Sequence, residues 1–278
     1  MRFGDLTAVD NIDVDVKEGE IFGFLGPNGA GKTTTIRILT TLLHPTSGSI
    51  SIDGISLPKG SFEARKLIGM VQQQISLDKD ISVRENIIYH AILHKVPRAI
   101  IKERLEELSE RIGITPYLDH AVITLSGGWK RKAAIICALM HSPRILFLDE
   151  PTAGLDVEGR QALHCLIRNL KARGKTILLA SHDMTEVESL CDRIAIITGG
   201  RISFLGSAAE LAEQTGSRYT VSITTSQGNR RYEAANIADT LLTLLEDYKR
   251  KGMAVLDIRI DRGTLEQHFM ELVRRKEP

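Results

Sequence analysis

The residues best suited to chemistry form one glycine-rich stretch near the start of the chain. It fits the phosphate-binding loop pattern G-x-x-x-x-G-K-[ST] at every constrained position. Its members are, in order, Gly26, Pro27, Asn28, Gly29, Ala30, Gly31, Lys32, Thr33 and Thr34. The glycines let several backbone N–H groups converge on an anion, and a helix beginning here would add its positive end. Lys32 would reach the terminal phosphates and the Thr33 hydroxyl would ligate a magnesium ion, so the stretch predicts a nucleoside triphosphate site.

A second candidate is the acidic pair Asp149-Glu150, which directly follows the apolar run Ile145–Leu148. A metal-bound triphosphate needs an acidic group that holds the metal and a base that orients the attacking water. Asp149 suits the first role and Glu150 the second. Two acids after an apolar strand also occur in ordinary loops, so it is the phosphate loop upstream that favours the catalytic interpretation.

These candidates must be positioned by strands and helices that alternate along the chain. Short apolar runs alternate with segments of helical periodicity, which predicts a parallel sheet covered by helices on both faces. In such sheets ligands bind beyond the carboxyl ends of the strands. Four predicted strands end in polar groups: the phosphate loop, Gln72–Gln74, Asp149-Glu150 and His182. We therefore expect these groups at one edge of the sheet, with a helix over Thr33–Leu42 after the phosphate loop.

Composition narrows the class of protein. The chain has 278 residues, 42% hydrophobic and 26% charged, with a formal net charge of +1. A near-neutral chain without a basic run argues against nucleic acid as the main partner. No apolar stretch approaches the roughly 20 residues that cross a bilayer, and the charged N-terminal residues do not form a signal peptide. Cys137, Cys165 and Cys191 lack pairing or metal-binding spacing, which indicates reduced thiols in a cytosolic protein.

Taken together, the motifs resemble those of the ATP-binding subunits of ABC transporters. The family's motifs occur here in order: the phosphate loop, a glutamine loop, Leu125-Ser126-Gly127-Gly128, Ile145–Glu150, Gly154-Leu155-Asp156 and His182. The resemblance covers roughly residues 3–211. The Ser-Gly-Gly signature separates this family from other phosphate-loop ATPases.

The resemblance implies that two subunits face each other head to tail. Each ATP would lie between one chain's phosphate loop and the other chain's signature, formed by Leu125, Ser126, Gly127 and Gly128. The residue types suit an anion site, because Ser126 can cap the following helix and the two glycines expose N–H groups at its positive end. A plain N-cap with a Gly-Gly turn would also explain the helix start, but not the second glycine.

The resemblance also implies roles for four other residues. Gln73 would contact magnesium and sense the membrane subunit, although the family usually has Pro where Gln72 stands. His182 would contact the γ-phosphate, and Asp156 would communicate across the dimer. Phe3 matches the aromatic residue that stacks on adenine, the alternative being an ordinary apolar residue near the N-terminus.

The expected architecture is an α/β fold with two parts. A phosphate-loop NTPase core with a mixed sheet occupies residues 1–216 and includes a helical subdomain at about 83–140. A small α+β accessory domain occupies residues 217–278. Its ending, Gly263–Phe269, is similar to that of ABC subunits that serve exporters of drugs, ions or lipids.

The leading hypothesis is therefore an ATPase subunit that uses ATP and Mg²⁺. It would dimerise on ATP with a second copy of itself or a close paralogue. It would drive a separate membrane-spanning permease, export a drug, ion or lipid, and bind no nucleic acid. We expect it in the cytoplasm, held at the inner face of the cell membrane by the permease. Two alternatives stay open: a soluble ABC ATPase of repair, translation or assembly, and an importer subunit.

Overall fold

The chain contains strands and helices in alternation, as the sequence predicts. The structure is a computed structural model that describes residues 1–215, 219–234, 236–261 and 263–274. The strands are β1 (Arg2–Phe3), β2 (Leu6–Thr7), β3 (Ile21–Leu25), β4 (Ile50–Ile52), β5 (Ile55–Leu57), β6 (Ile68–Val71), β7 (Ile145–Asp149), β8 (Thr176–Ser181), β9 (Arg193–Thr198), β10 (Arg201–Gly206), β11 (Tyr219–Thr225), β12 (Gly228–Ala234) and β13 (Val255–Asp261). The helices are α1 (Lys32–Leu39), α2 (Ser61–Leu67), α3 (Val83–Leu93), α4 (Arg98–Ile112), α5 (Gly127–Leu139), α6 (Val157–Ala172), α7 (Met184–Leu190), α8 (Ala208–Thr215), α9 (Ile237–Arg250) and α10 (Leu265–Arg274).

Six strands form the central sheet in the order β10-β9-β3-β8-β7-β6. The pairs from β9 to β6 are parallel, and every residue of β3 and β8 is buried because helices cover both faces. Strand β10 follows β9 after the two-residue turn Gly199-Gly200, which only an antiparallel neighbour allows. The sheet is therefore mixed, and the predicted α/β fold class is confirmed.

Helices α3, α4 and α5 pack together beside the sheet and share one hydrophobic core. Ser82 begins α3 with a capping box, in which its hydroxyl accepts from the Glu85 N–H while the Glu85 carboxylate accepts from the Ser82 N–H. Pro97 stands between α3 and α4, as its fixed φ and missing donor predict. Buried Leu105 and Ile136 join α4 and α5 in that core.

The helix after the phosphate loop is shorter than the predicted Thr33–Leu42. Helix α1 ends at Leu39, because Thr41 adopts a left-handed conformation with φ +63°. The N–H groups of Leu42 and Leu43 then both donate to the carbonyl of Arg37, which closes the helix end. The apolar spacing continues past the end of the helix, and this explains the wrong boundary.

The described chain divides into two compact units, Met1–Leu205 and Gly206–Pro278. In the second unit, β12, β11 and β13 form an antiparallel sheet. Helix α9 packs on one face of this sheet over buried Val221 and Ile223. Helices α8 and α10 pack together, and the His268 ring Nδ1 lies 2.8 Å from the Thr215 hydroxyl. The accessory-domain boundary at residues 216/217 stays a prediction.

Within the described residues, no helix combines the length and the apolar character that a bilayer crossing requires.

Candidate nucleotide-hydrolysis site

The carboxyl ends of four neighbouring strands bring the predicted polar groups together. Strands β3, β8, β7 and β6 are adjacent and parallel, and they lead into the phosphate loop, His182, Glu150 and Gln72 respectively. The strand registers place the carboxyl ends of β3, β8 and β7 side by side, since Leu25 pairs with Ser181 and Asp149 pairs with Ala180. Strand order and register therefore bring these groups together, as expected for an open parallel sheet.

Glycine is required at two positions of the phosphate loop by the surrounding backbone. A Cβ added at Gly26 would lie 2.3 Å from the carbonyl oxygen of Ile197. One at Gly31 would lie 2.5 Å from the carbonyl oxygen of Ala8, and the Gly31 φ of +109° is a conformation that other residues rarely adopt. Gly31 is the N-cap of α1, and no side chain caps the helix there. The helix start can therefore accept an external anion.

Lys32 is folded over the loop rather than pointing to solvent. It is 5% exposed, and its Nζ donates to the carbonyls of Gly26 (2.7 Å) and Pro27 (3.1 Å). Glu150 Oε1 lies 4.0 Å from the same nitrogen. Burial lowers the pKa of Lys32, while the charges of Glu150 and Asp149 raise it. The ammonium is thus held at the loop by carbonyl oxygens and carboxylates.

Thr33 and Asp149 form an oxygen pair next to the loop. The Thr33 hydroxyl donates to Asp149 Oδ1 at 3.2 Å, and Asp149 is 3% exposed. Burial raises the pKa of Asp149, and the hydrogen bond from Thr33 opposes this shift. Two hard oxygen ligands suit Mg²⁺, which keeps several waters and takes its other ligands from a bound phosphate. In the described parts of the chain no cluster of three or more His, Cys, Asp or Glu could hold a metal by itself.

Glu150 and His182 form the second polar pair. His182 Nδ1 lies 2.8 Å from Glu150 Oε2; Glu150 is 6% exposed, whereas the His182 side chain is 55% exposed. The Glu150 backbone is left-handed, with φ +49°, and its N–H donates to the Ala180 carbonyl at 2.9 Å. Such a conformation costs a non-glycine residue about 1–2 kcal/mol and often marks a functional site. The carboxylate is consequently fixed between His182 and Lys32.

Arg131 connects three parts of the site, and the sequence interpretation missed it. It is 3% exposed and lies in the second turn of α5. Its guanidinium donates to the carbonyls of Gln72 (2.6 Å), Gln73 (3.0 Å) and Glu150 (3.4 Å). Burial lowers its pKa, and the negative charges of Asp149 and Glu186 raise it. The spacing of residues in α5 could have indicated that Arg131 is buried. It stands four residues before the apolar Ile135 and so lies on the same face of the helix.

Replacing Arg131 with leucine is expected to lower the free energy of unfolding by about 1–3 kcal/mol, because buried carbonyl oxygens lose their donors. Arg131→Lys should also destabilise the chain, since one ammonium cannot span acceptors on two loops. Denaturant titration measures both effects. Lys130→Leu in the same helix is the control, because Lys130 makes only a long contact of 3.4 Å to the Ile123 carbonyl. Equal stability of the Arg131→Leu chain and the native chain would contradict the bridging role.

Ser126 and Gly127 of the signature stretch are exposed, and the stretch lacks the expected side-chain cap. Ser126 occupies the N-cap position of α5, but its hydroxyl makes no capping hydrogen bond, so that prediction is wrong. The Ser126 carbonyl accepts the first hydrogen bond of the helix from the Lys130 N–H, and Leu125 before it is buried. A Cβ at Gly127 or Gly128 would approach other atoms no closer than 3.7 Å. Packing within the chain therefore does not require either glycine.

The remaining predicted residues are exposed. The Gln73 side chain is exposed, and Arg131 holds its carbonyl. Asp156 is exposed and caps α6, accepting from the Gly159 N–H at 2.8 Å. Phe3 in β1 is 46% exposed and pairs with Leu6 of β2.

Helices α6 and α7 are joined by a row of polar contacts. Helix α6 begins after Asp156, and α7 begins two residues after His182. The contacts are Arg160 Nη1 to Asp183 Oδ2 (3.0 Å), His164 Nε2 to Glu186 Oε1 (3.5 Å), Arg168 Nη2 to the Ser189 carbonyl (3.2 Å), and Lys171 Nζ to Asp192 Oδ1 (2.5 Å). The row links the loop that carries Asp156 to the loop that carries His182.

Comparison with known proteins gives concordant matches. The family model described as "ABC transporter" matches residues 9–153. The chain is 32% identical to the linearmycin resistance ATP-binding protein of Bacillus subtilis (strain 168), over 98% of this chain and 96% of that protein. It is 33% identical to a daunorubicin resistance ATP-binding protein of Streptomyces coeruleorubidus, over 98% and 92%. It is 42% identical to the Nod factor export ATP-binding protein I of Burkholderia orbicola (strain AU 1054), over 76% and 70%.

Solved structures agree with these sequence matches. An ABC transporter subunit from Clostridium perfringens superposes with a TM-score of 0.68 at 33% identity, covering 74% of this chain and 84% of that one. An ATP-binding cassette solved as a dimer in a post-hydrolysis state with ADP and Pi superposes with a TM-score of 0.68 at 27% identity, covering 74% and 94%.

Proposed function

The chain belongs to the ABC transporter family as an ATP-binding protein, and from this premise we propose that it hydrolyses ATP between two copies of itself to power export through a separate membrane permease. One observation carries the proposal. The chain holds the phosphate loop, Glu150 and His182 in one centre, while packing within the chain requires neither glycine of its signature. The signature is explained by a nucleotide that another copy holds.

Within one half-site, the loop N–H groups and Lys32 bind the phosphates of ATP. Thr33 and Asp149 would hold Mg²⁺, and Gln73 would be a further ligand. Bound there, the ion neutralises charge on the phosphate oxygens. Phe3 stacks on the adenine.

Hydrolysis depends on the pair at the ends of β7 and β8. Glu150 orients the attacking water and accepts its proton, because its carboxylate is fixed beside the loop. His182 holds Glu150 through the 2.8 Å contact and meets the γ-phosphate with its exposed edge. Catalysis in this arrangement rests on positioning and electrostatic stabilisation rather than on covalent chemistry.

The second copy completes the site with residues 125–128. The Ser126 hydroxyl makes no capping hydrogen bond in its own chain. Together with the N–H groups of Gly127 and Gly128, it stabilises the γ-phosphate of the ATP that the facing chain binds. Asp156 lies at the same boundary, and the polar row between α6 and α7 supports the loop of His182 behind it. Formation of the dimer therefore affects the position of His182.

Replacing Gly128 with aspartate tests the shared site without disturbing the fold of one chain. The new Cβ would lie 3.8 Å from its nearest neighbour, a Leu155 methyl, which is an ordinary contact. The carboxylate would face the partner's phosphates, and this like-charge repulsion should reduce turnover by more than about tenfold. ATP binding by the single chain should be unchanged.

Gly128→Asn is the matched control, because it adds the same volume without the charge and should retain more activity. Turnover and elution volume with ATP are measured for both variants. An aspartate variant with native turnover would contradict the shared site.

A second experiment tests the transporter role in cells that make a tagged native chain or a tagged Gly128→Asp chain. Both tagged chains should recover a membrane-spanning protein from detergent extracts of these cells. Finding the tagged chains only in soluble complexes would contradict the transporter role.

The names of the relatives support the proposed direction of transport and the kind of cargo. Those that this chain spans almost completely are named for resistance to linearmycin and daunorubicin, and another for export of Nod factor. These names support export of a drug or a similar compound that the permease selects. Bound to such a permease, the chain would be located at the inner face of the cell membrane.

A further inference from the structure

Trp129, the only tryptophan of the chain, directly follows the two signature glycines. It is half-buried and occupies the third position of α5. The Tyr117 ring packs against it, with the ring centroids 4.2 Å apart and the planes inclined by 33°. Tyr117 ends a short 3₁₀ helix, Thr115–Tyr117, in the connection between α4 and α5. The stacked rings therefore join the start of α5 to a segment that precedes the signature.

The two rings stack beside a turn that has little other support. The Ser126 hydroxyl makes no capping hydrogen bond. A Cβ at Gly127 or Gly128 would come no closer than 3.7 Å to another atom. Glycine also has more backbone freedom than any other residue. Apart from the backbone hydrogen bonds of α5, the signature is therefore held by its two neighbours, buried Leu125 before it and stacked Trp129 after it.

A cation also lies on the Trp129 ring. Lys132 Nζ is 4.2 Å from the ring centroid, which is the geometry of a cation–π contact. Burial lowers the pKa of Lys132, and no carboxylate of the described residues forms an ion pair with it. An aromatic face holds an ammonium group without cancelling its charge, whereas a carboxylate would neutralise it. Since side chains of a helix tilt toward its N-terminus, this positive charge lies on the side of the signature.

The start of α5 as a whole is positive. Lys130, Arg131 and Lys132 are consecutive within its first two turns, and the first turn contains no acidic residue. The positive end of a helix dipole favours acidic side chains, so this order of charges is unfavourable for the helix itself. Lys130 makes only its long contact to the Ile123 carbonyl, and Lys132 lies on an aromatic ring. The arrangement suits an anion that another molecule brings to the helix start.

We propose that Trp129 is a positioning residue for the shared ATP site. Stacked on Tyr117, its ring fixes the signature turn, so that the N–H groups of Gly127 and Gly128 meet the γ-phosphate of the ATP that the facing chain binds. The same ring holds Lys132, whose charge attracts that triphosphate as the two chains approach. This inference rests on the proposed function and deepens it, because it says what holds the signature in place.

Replacing Trp129 with leucine removes both ring contacts while it keeps an apolar side chain. Turnover should fall by about 10–100-fold, the loss expected when groups that contact the reacting phosphate are misplaced by about 1 Å. ATP binding by the single chain should be unchanged, because the phosphate loop is not part of the stack. Trp129→Phe should restore most of the turnover, since a phenyl ring still stacks on Tyr117 and still binds a cation. Tyr89→Leu is the control, because it removes an exposed aromatic ring of α3 outside the stack and should keep native turnover.

A double-mutant cycle tests whether the two rings act as one unit. Tyr117→Leu should lower turnover as Trp129→Leu does, and the chain with both substitutions should be no less active than either one. Lys132→Met should weaken ATP-dependent dimer formation and make it less sensitive to salt. Lys132→Arg should recover most of the dimer, because arginine also binds aromatic faces. Sedimentation in the Glu150→Gln background, which prevents hydrolysis, measures dimer formation.

The fluorescence of Trp129 reports on the shared site directly, because the chain has no other tryptophan. In the Glu150→Gln chain, ATP should change the emission with the same dependence on protein concentration as dimer formation. Adding Gly128→Asp to this chain should abolish the change while ATP still binds. A change that persists in the Gly128→Asp chain without dimers would overturn the proposal.

Four other results would also overturn it: native turnover in the Trp129→Leu chain, no recovery with Trp129→Phe, additive losses from the two rings, or loss of single-chain ATP binding in the Trp129→Leu chain. The last result would place the damage in the fold rather than in the shared site. Native turnover in the Glu150→Gln chain would count against the proposed function. A fully active Trp129→Leu chain beside an inactive Glu150→Gln chain would overturn this inference alone.

Discussion

Replacing Glu150 with glutamine is expected to lower ATP turnover by about 10²–10⁴-fold, the usual contribution of a positioned general base. The amide has the shape of the carboxylate, and it can still contact His182. It cannot accept the proton of the attacking water. ATP binding should be retained, because Lys32 and the loop N–H groups are unchanged, and the dimer with ATP should persist.

Three measurements on the Glu150→Gln chain check this expectation together: steady-state turnover, ATP affinity and elution volume with ATP. Glu103→Gln is the control, since Glu103 is exposed on α4. Full turnover in the Glu150→Gln chain would remove Glu150 from the catalytic role. Loss of both binding and turnover would instead indicate a misfolded loop.

Replacing Lys32 with methionine is expected to weaken ATP binding by about 10–150-fold, since a charge-assisted contact contributes about 1.5–3 kcal/mol. Lys32 is only 5% exposed, and a methionine side chain fills a similar volume there. It removes the donors that hold the Gly26 and Pro27 carbonyls, so the loop also loses part of its order. Turnover should fall with affinity.

Titration of each chain with ATP, in the Glu150→Gln background to prevent hydrolysis, measures the effect of Lys32→Met. Lys102→Met is a suitable control, because the Lys102 side chain is 86% exposed and its contact to Glu106 is 4.0 Å long. Unchanged ATP affinity after Lys32→Met would count against the phosphate-loop assignment as a whole.

The parts of the site that were predicted from sequence are those that local patterns determine. The phosphate loop is specified by glycines at set spacing, and Asp149-Glu150 and His182 each follow an apolar run. Once the strands are parallel and adjacent, their ends meet without further information. The α/β class and the parallel part of the sheet follow from the same alternation.

Contacts between distant segments were not predictable in this way. Arg131 donates to carbonyl oxygens 59, 58 and 19 residues away, and a backbone acceptor leaves no trace in the side-chain sequence. The Ser126 hydroxyl was expected to cap α5, a local rule that the structure does not follow. The border position of β13 depends on which strand pairs with β11, which its own seven residues do not specify.

The left-handed backbone of Glu150 creates a trade-off between stability and activity at a single position. At φ +49° glycine would be the conformationally favoured residue, so the chain gives up about 1–2 kcal/mol to have a carboxylate there. A design that optimised this protein for thermal stability alone would be drawn to glycine at residue 150 and would lose the proposed base. Stabilising substitutions for this enzyme should therefore be sought away from the end of β7.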